Sequence, residues 1–153
     1  MSSYYESRNT ELDAYINFDL TFPPHLHSQL ELILLLEGSS TAVVDSQVVS
    51  LRPGDVLAVF PYQIHEYRFT GANRSITVIL NHDYVRHAVQ LMEQCRPKYP
   101  RLRDCKEQES LVRVFHWLQE EKGRPQPREL VLQGLTGVLL GLLLDSLPLQ
   151  KIY

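Results

Sequence analysis

Four side chains in this 153-residue sequence have the types and spacing to do chemistry together. His25, His27 and Glu31 lie in PPHLHSQLELILLLEG (residues 23–38), and His65 lies in PYQIHEYRF (residues 61–69). Neutral imidazoles and a carboxylate are ligands for a divalent cation, and three histidines with one carboxylate leave coordination positions open. Residues two apart on a strand share a face. His25, His27, Gln29, Glu31 and Ile33 are therefore expected on one face, and Leu26, Leu30, Leu32, Leu34 and Leu36 on the other. His65, Tyr67 and Phe69 fall on one face of a later strand. If the two strands meet inside one barrel, the four polar groups converge. Two other uses of the same residues stay open: polar groups facing a small molecule in a pocket, and structural hydrogen bonding. In the pocket reading Tyr67 and Phe69 join the histidines and Glu31 as ligand-binding residues, and aromatic walls suit a planar or sugar-like molecule.

The elements needed to position these groups are legible along the chain. Residues 15–20 alternate polar and apolar as a half-buried strand does. LELILLLEG is a longer strand, and STAVVDSQVVSL is a hairpin about Asp45-Ser46. Pro53-Gly54 suits the centre of a type II turn. HEYRFT and GANRSITVILN are expected to pair across a Gly/Asn turn. Six to eight short strands of this kind indicate a sandwich or barrel. After Asn81 the period becomes helical, in HDYVRHAVQLMEQC, in ESLVRVFHWLQEEKG with Gly123 as its stop, and in PREL…LDSLP. Strands followed by helices, with no linker or repeat, predict one α+β domain over 1–153. Residues 1–82 would hold an arm and the barrel, and residues 83–147 the helices.

The third helix carries Leu130, Leu132, Leu135, Val138, Leu139, Leu142, Leu143 and Leu144 around most of its circumference. An all-round apolar helix must be covered all round. A second copy of the chain is the expected cover, with Leu135, Val138, Leu139 and Leu142 at the interface and Gly134, Gly137 and Gly141 allowing close approach. The alternative is complete cover by the barrel and the second helix. Gln133, three glycines and Asp145 interrupt the segment, so it is read as a buried helix and no membrane partner is expected.

Composition narrows the function. Net charge is −3, and Arg and Lys are scattered. Proteins that grip nucleic acid carry a basic face, so direct DNA contact by these residues is not expected. Cys95 and Cys105 are too few for a disulfide scaffold, and no signal peptide is evident, which points to a reducing cytoplasm. No nucleophile elbow, P-loop or dinucleotide fingerprint occurs, and Ser28 has no activating partner. His82, His87 and His116 are assigned to surface or packing roles, and Trp117 to core or interface.

His25-x-His27-x3-Glu31-x6-Gly38 resembles the first cupin motif at every defined position after its opening glycine. Gly54-x5-Phe60-x-Tyr62-x2-His65 resembles the second. It departs at Phe60 (proline in the motif), Tyr62 (glycine) and Phe69 (asparagine). Across roughly residues 15–145 the chain looks like the N-terminal sensor domain of a bacterial AraC-family transcription regulator. That resemblance implies a double-sheet jelly roll holding a small-molecule effector, without catalysis, followed by helices that pair two protomers. It implies a divalent metal (Zn, Fe, Mn or Ni) only as an option, at His25, His27, Glu31 and His65, since sensor barrels of this kind keep the histidines without requiring one. It implies that DNA is met only through two C-terminal helix-turn-helix motifs, which are absent from residues 1–153. It also implies that a segment around Arg8 could fold over the barrel mouth, against the simpler expectation of a disordered tail. The competing expectation is a stand-alone metal-dependent cupin enzyme, an isomerase or oxygenase.

Overall fold

The computed structural model describes residues 3–6 and 11–152, so the expectation for Arg8 lies outside the described residues. Nine strands build most of the barrel: β1 Tyr4–Tyr5, β2 Leu12–Phe18, β3 Phe22–Leu26, β4 Leu30–Gly38, β5 Ser40–Val44, β6 Gln47–Leu51, β7 Val56–Val59, β8 His65–Arg68 and β9 Asn73–Leu80. They are followed by α1 His82–Val85, α2 Val89–Gln94, β10 Cys95–Pro97, β11 Arg101–Leu102, α3 Gln108–Lys122, α4 Glu129–Ser146 and β12 Leu149–Lys151. One sheet has the order β1-β3-β8-β5-β6 and the other β11-β7-β4-β9-β2, while β10 and β12 pair separately. This is a double-sheet jelly roll followed by two helices packed together.

The leucine run has a direct explanation in β4. This strand is central in its sheet, flanked by β7 and β9, and buried on both faces. Ile33 and Leu35 point between the sheets, where they meet Ala42, Val49, Val59 and Tyr67. Leu30, Leu32 and Leu34 point outward into a second apolar layer with Phe115, Leu118, Leu139 and Leu143 of the helices. A strand covered on both faces reads as a continuous apolar run. The cover for the leucine face is therefore helical.

Turn chemistry sets the corners. Asp45 and Ser46 take φ of 44° and 71° between β5 and β6, as a tight hairpin requires. Asp55 N–H donates to the Arg52 carbonyl across Pro53-Gly54, with Gly54 at φ 93°, matching the type II expectation. The expected pairing of HEYRFT with GANRSITVILN does not form. β8 pairs with β3 and β5, and β9 with β4 and β2. The chain changes sheets between them, held by Asn73, whose side chain accepts from Leu20 N–H and donates to the Ser39 carbonyl.

The first expected helix is broken. Ala88 N–H donates back to the Val85 carbonyl, and the helix restarts when Met92 N–H reaches the Ala88 carbonyl. Cys95–Pro97 then turns extended and pairs with Leu149–Lys151, as favoured by the proline that follows Arg96. Cys95 and Cys105 are both free thiols.

Helix α4 is long and apolar enough to cross a membrane by length and composition, with mean hydropathy 1.4. One side packs inward through Leu132, Leu135, Thr136, Leu139, Leu140 and Leu143. Leu135 and Leu139 are thus core residues of the protomer, not contact-face residues as expected. The opposite side is open: Leu130 is 82% and Val138 50% exposed, Leu142 is half-buried, and among the described residues a Cβ added at Gly134, Gly137 or Gly141 would meet nothing within 4 Å outside the helix's own backbone. The barrel and α3 do not cover the helix completely. Trp117, expected in a core or interface, is 54% exposed on α3.

Candidate metal centre

The four chemistry-bearing residues converge, by a different route from the one expected. They do not share one strand face. His25 ends on β3 in one sheet, Glu31 stands on β4 in the other, and His27 lies in the crossing segment between them. His65 opens β8 and pairs in register with His25. The chain passes from sheet to sheet within five residues, which folds His25, His27 and Glu31 around one point instead of along a line.

All four are buried, and one ligand atom from each lies within 4.8 Å of the others. The ring centroids of His25 and His65 are 4.0 Å apart, and those of His27 and His65 4.9 Å. His27 Nε2 is 3.1 Å from Glu31 Oε1, and His65 Nε2 is 3.3 Å from Glu31 Oε2. The Tyr67 hydroxyl donates to Glu31 Oε2 in a short hydrogen bond.

The outer nitrogens decide the protonation pattern. His25 Nδ1 lies 2.9 Å from the Pro23 carbonyl, His27 Nδ1 3.2 Å from the Gln29 carbonyl, and His65 Nδ1 2.9 Å from the Gln63 carbonyl. A carbonyl only accepts, so each Nδ1 carries the hydrogen. In the neutral rings every Nε2 is then a lone pair aimed at the other ligands. Backbone anchoring of this kind fixes tautomer and ring orientation in metal-binding histidines.

Three lone pairs and a carboxylate in a buried space repel unless a positive charge joins them. Burial alone would push Glu31 upward, but hydrogen bonds and charge from His27 and His65 hold its carboxyl well below the usual range. Burial would lower His65, and the hydrogen bond and charge of Glu31 outweigh it and raise the ring. His25 is lowered, by burial and then by His65. A proton on one imidazole can thus supply the positive charge. A divalent cation would supply it more completely and release that proton. His65 Nε2 is buried without a well-aligned hydrogen-bond partner, an atom that a cation would satisfy. The donor set fits a divalent transition metal held by His25, His27, Glu31 and His65.

A cavity of about 240 Å³ opens beside this cluster. Its walls include His25 and Tyr67 from one sheet and Glu31, Tyr15, Asn17 and Thr77 from the other. Thr77 is 2% exposed and its hydroxyl has no hydrogen-bond partner among the described residues. Sequence reasoning missed this polar wall: Tyr15, Asn17 and Thr77 read only as alternating strand residues, and alternation does not say which face borders a cavity. Phe69, expected in the pocket, lies beyond the end of β8, is 58% exposed, and is not among the cavity walls.

Fold and site together define a double-sheet barrel with an internal polar centre. Residues 18–80 match the family model for the cupin domain. No curated protein matches the sequence. Among solved structures, the AraC-like transcriptional activator CuxR is similar over 78% of this chain and 42% of its own, at 12% identity and TM-score 0.55. The conserved SPY1581 protein of unknown function from Streptococcus pyogenes aligns over 48% of this chain and 68% of its own, at 12% identity and TM-score 0.45. A salicylate 1,2-dioxygenase from Pseudaminobacter salicylatoxidans aligns over 53% of this chain and 24% of its own, at 22% identity and TM-score 0.43. At these identities the likeness is one of fold, and the chain spans under half the length of the activator and about a quarter of the dioxygenase.

Proposed function

We propose that this chain is the small-molecule-sensing and dimerisation module of an AraC-type transcription regulator. The observation that carries the reading is the open apolar face of α4, where Leu130, Val138 and Leu142 stand beside glycines that leave room for a second backbone. An exposed apolar stripe on a helix that is otherwise packed is an association surface. The likeness to the AraC-like activator supports this, because it extends over 78% of the chain and so includes more than the barrel strands. The effector site is the cavity beside Glu31 and Tyr67, whose hydroxyl and amide walls suit a polar metabolite such as a sugar. A bound effector would favour one dimer arrangement, and a tenfold coupling corresponds to about 1.4 kcal/mol. DNA would be met by a helix-turn-helix domain outside residues 1–153, in a bacterial cytoplasm.

Sedimentation tests the dimer. Val138 is half-exposed, so Val138→Asp leaves the protomer folded and converts dimer to monomer. Wild-type protein that remains monomeric at all concentrations overturns the reading.

A second reading, a metal-dependent cupin enzyme, is favoured by the buried three-histidine, one-glutamate cluster itself. It requires near-stoichiometric metal that is lost in His27→Ala, together with turnover of a substrate. Metal-free protein that binds a metabolite without converting it removes this reading.

A further inference from the structure

We propose that the cleft between the Phe60–Gln63 turn and the α1–α2 segment is a second binding site, for a single-ring aromatic acid. It lies outside the barrel and does not depend on the regulator reading. Gln63 N–H donates to the Phe60 carbonyl and closes a four-residue turn, with Tyr62 at φ 68°. Gly54 holds a left-handed position at no steric cost in the Pro53-Gly54 turn. Tyr62 holds its own against a steric penalty, and such strain in a bulky residue is found where ligands are held. Its ring is 53% exposed, so core packing does not account for it.

The ring stands at a cleft of about 220 Å³. Pro61 and Met92 are buried and Val89 is half-buried, so the floor is apolar. This volume is below the roughly 300–1,000 Å³ usual for drug-sized ligands, which limits the occupant to about one ring. The walls add charge. Arg96 Nη1 donates to the Met92 and Cys95 carbonyls at 2.6 and 2.9 Å, which fixes the guanidinium at the cleft. Among the described residues no carboxylate forms an ion pair with Arg96. His82 and Glu93 also line the cleft, and Glu93 disfavours a second negative charge. A ring stacked on Tyr62 with one acid group toward Arg96 fits the apolar floor and the guanidinium. Tyr62 N–H donates to the His27 carbonyl at 2.8 Å, so the same turn touches the histidine cluster.

Benzoate and 4-hydroxyphenylacetate, titrated by calorimetry and by backbone amide shifts, test the site. Both should bind and shift resonances around Tyr62, Met92 and Arg96, whereas acetate and benzyl alcohol should not. Tyr62→Gly should weaken binding about tenfold or more while raising Tm, because glycine relieves the turn. Arg96→Met should weaken the acids without affecting the barrel. Tyr62→Gly with unchanged affinity, or with lowered Tm, overturns the proposal. So do shifts confined to the barrel cavity, or an absence of binding by both acids at millimolar concentration.

Discussion

Replacing His27 with alanine separates a cation site from a structural hydrogen-bond cluster. In the wild-type chain, Zn²⁺ or Mn²⁺ would bind the native state and not an unfolded chain in which the four ligands are dispersed. At a free concentration 100 times Kd this linkage contributes about 2.7 kcal/mol. For a chain of this size 1 kcal/mol moves Tm by about 2–4 °C, so the expected rise is about 5–10 °C. His27 provides one of three inward Nε2 atoms, and when that ring is protonated its Nε2–H donates to Glu31 Oε1. The alanine variant leaves a three-ligand site with a void, and its metal-dependent shift should fall to within error. Its metal-free Tm should fall as well, because Glu31 loses a partner in a buried space, at about 1–3 kcal/mol. Differential scanning calorimetry of chelator-treated protein, with and without each metal, reads both effects. Equal metal-dependent shifts in wild type and His27→Ala would refute the reasoning, as would a wild type that no divalent metal stabilises.

Other outcomes follow from the packing. Gly38→Ala places a Cβ 2.0 Å from the Ala72 carbonyl oxygen at φ 79°. The left-handed backbone alone costs about 1–3 kcal/mol, so urea unfolding should show at least that loss. Leu139→Ala empties a fully buried site between the barrel and α3 and should cost about 2–5 kcal/mol in the same assay. Val138→Ala, on the open face, should leave stability nearly unchanged. Glu121 is 2% exposed and receives the guanidinium and backbone N–H of Arg128, and these bonds hold its carboxyl at about 2. Its stabilising effect is complete above the ordinary carboxylate range, near 4.3, and is lost as pH falls through about 2. Glu121→Gln should therefore be less stable at neutral pH and should flatten the acid limb of a pH–stability curve between those values.

The sequence by itself determined which polar groups are candidates for a shared site and which kind of fold holds them. Two histidines, a glutamate and a later histidine are rare enough in type and spacing to be noticed without coordinates. The change from period two to period 3.6 near Asn81 is a property of local hydrophobic patterning, and so are the turns at Asp45-Ser46 and Pro53-Gly54. What tertiary structure decided was how these pieces meet. His25, His27 and Glu31 read as one strand face, yet a crossover places them in two sheets, because pairing partners are chosen by the whole barrel and not by local alternation. The same long-range pairing sent β8 and β9 to opposite sheets despite the short turn between them. Leucines on α4 look alike in sequence. Only packing separated Leu135 and Leu139, which face the barrel, from Leu130 and Val138, which face solvent. Tyr62 could be noticed as a departure from glycine, but its left-handed backbone and the cleft beneath it exist only once α1 and α2 lie against the turn.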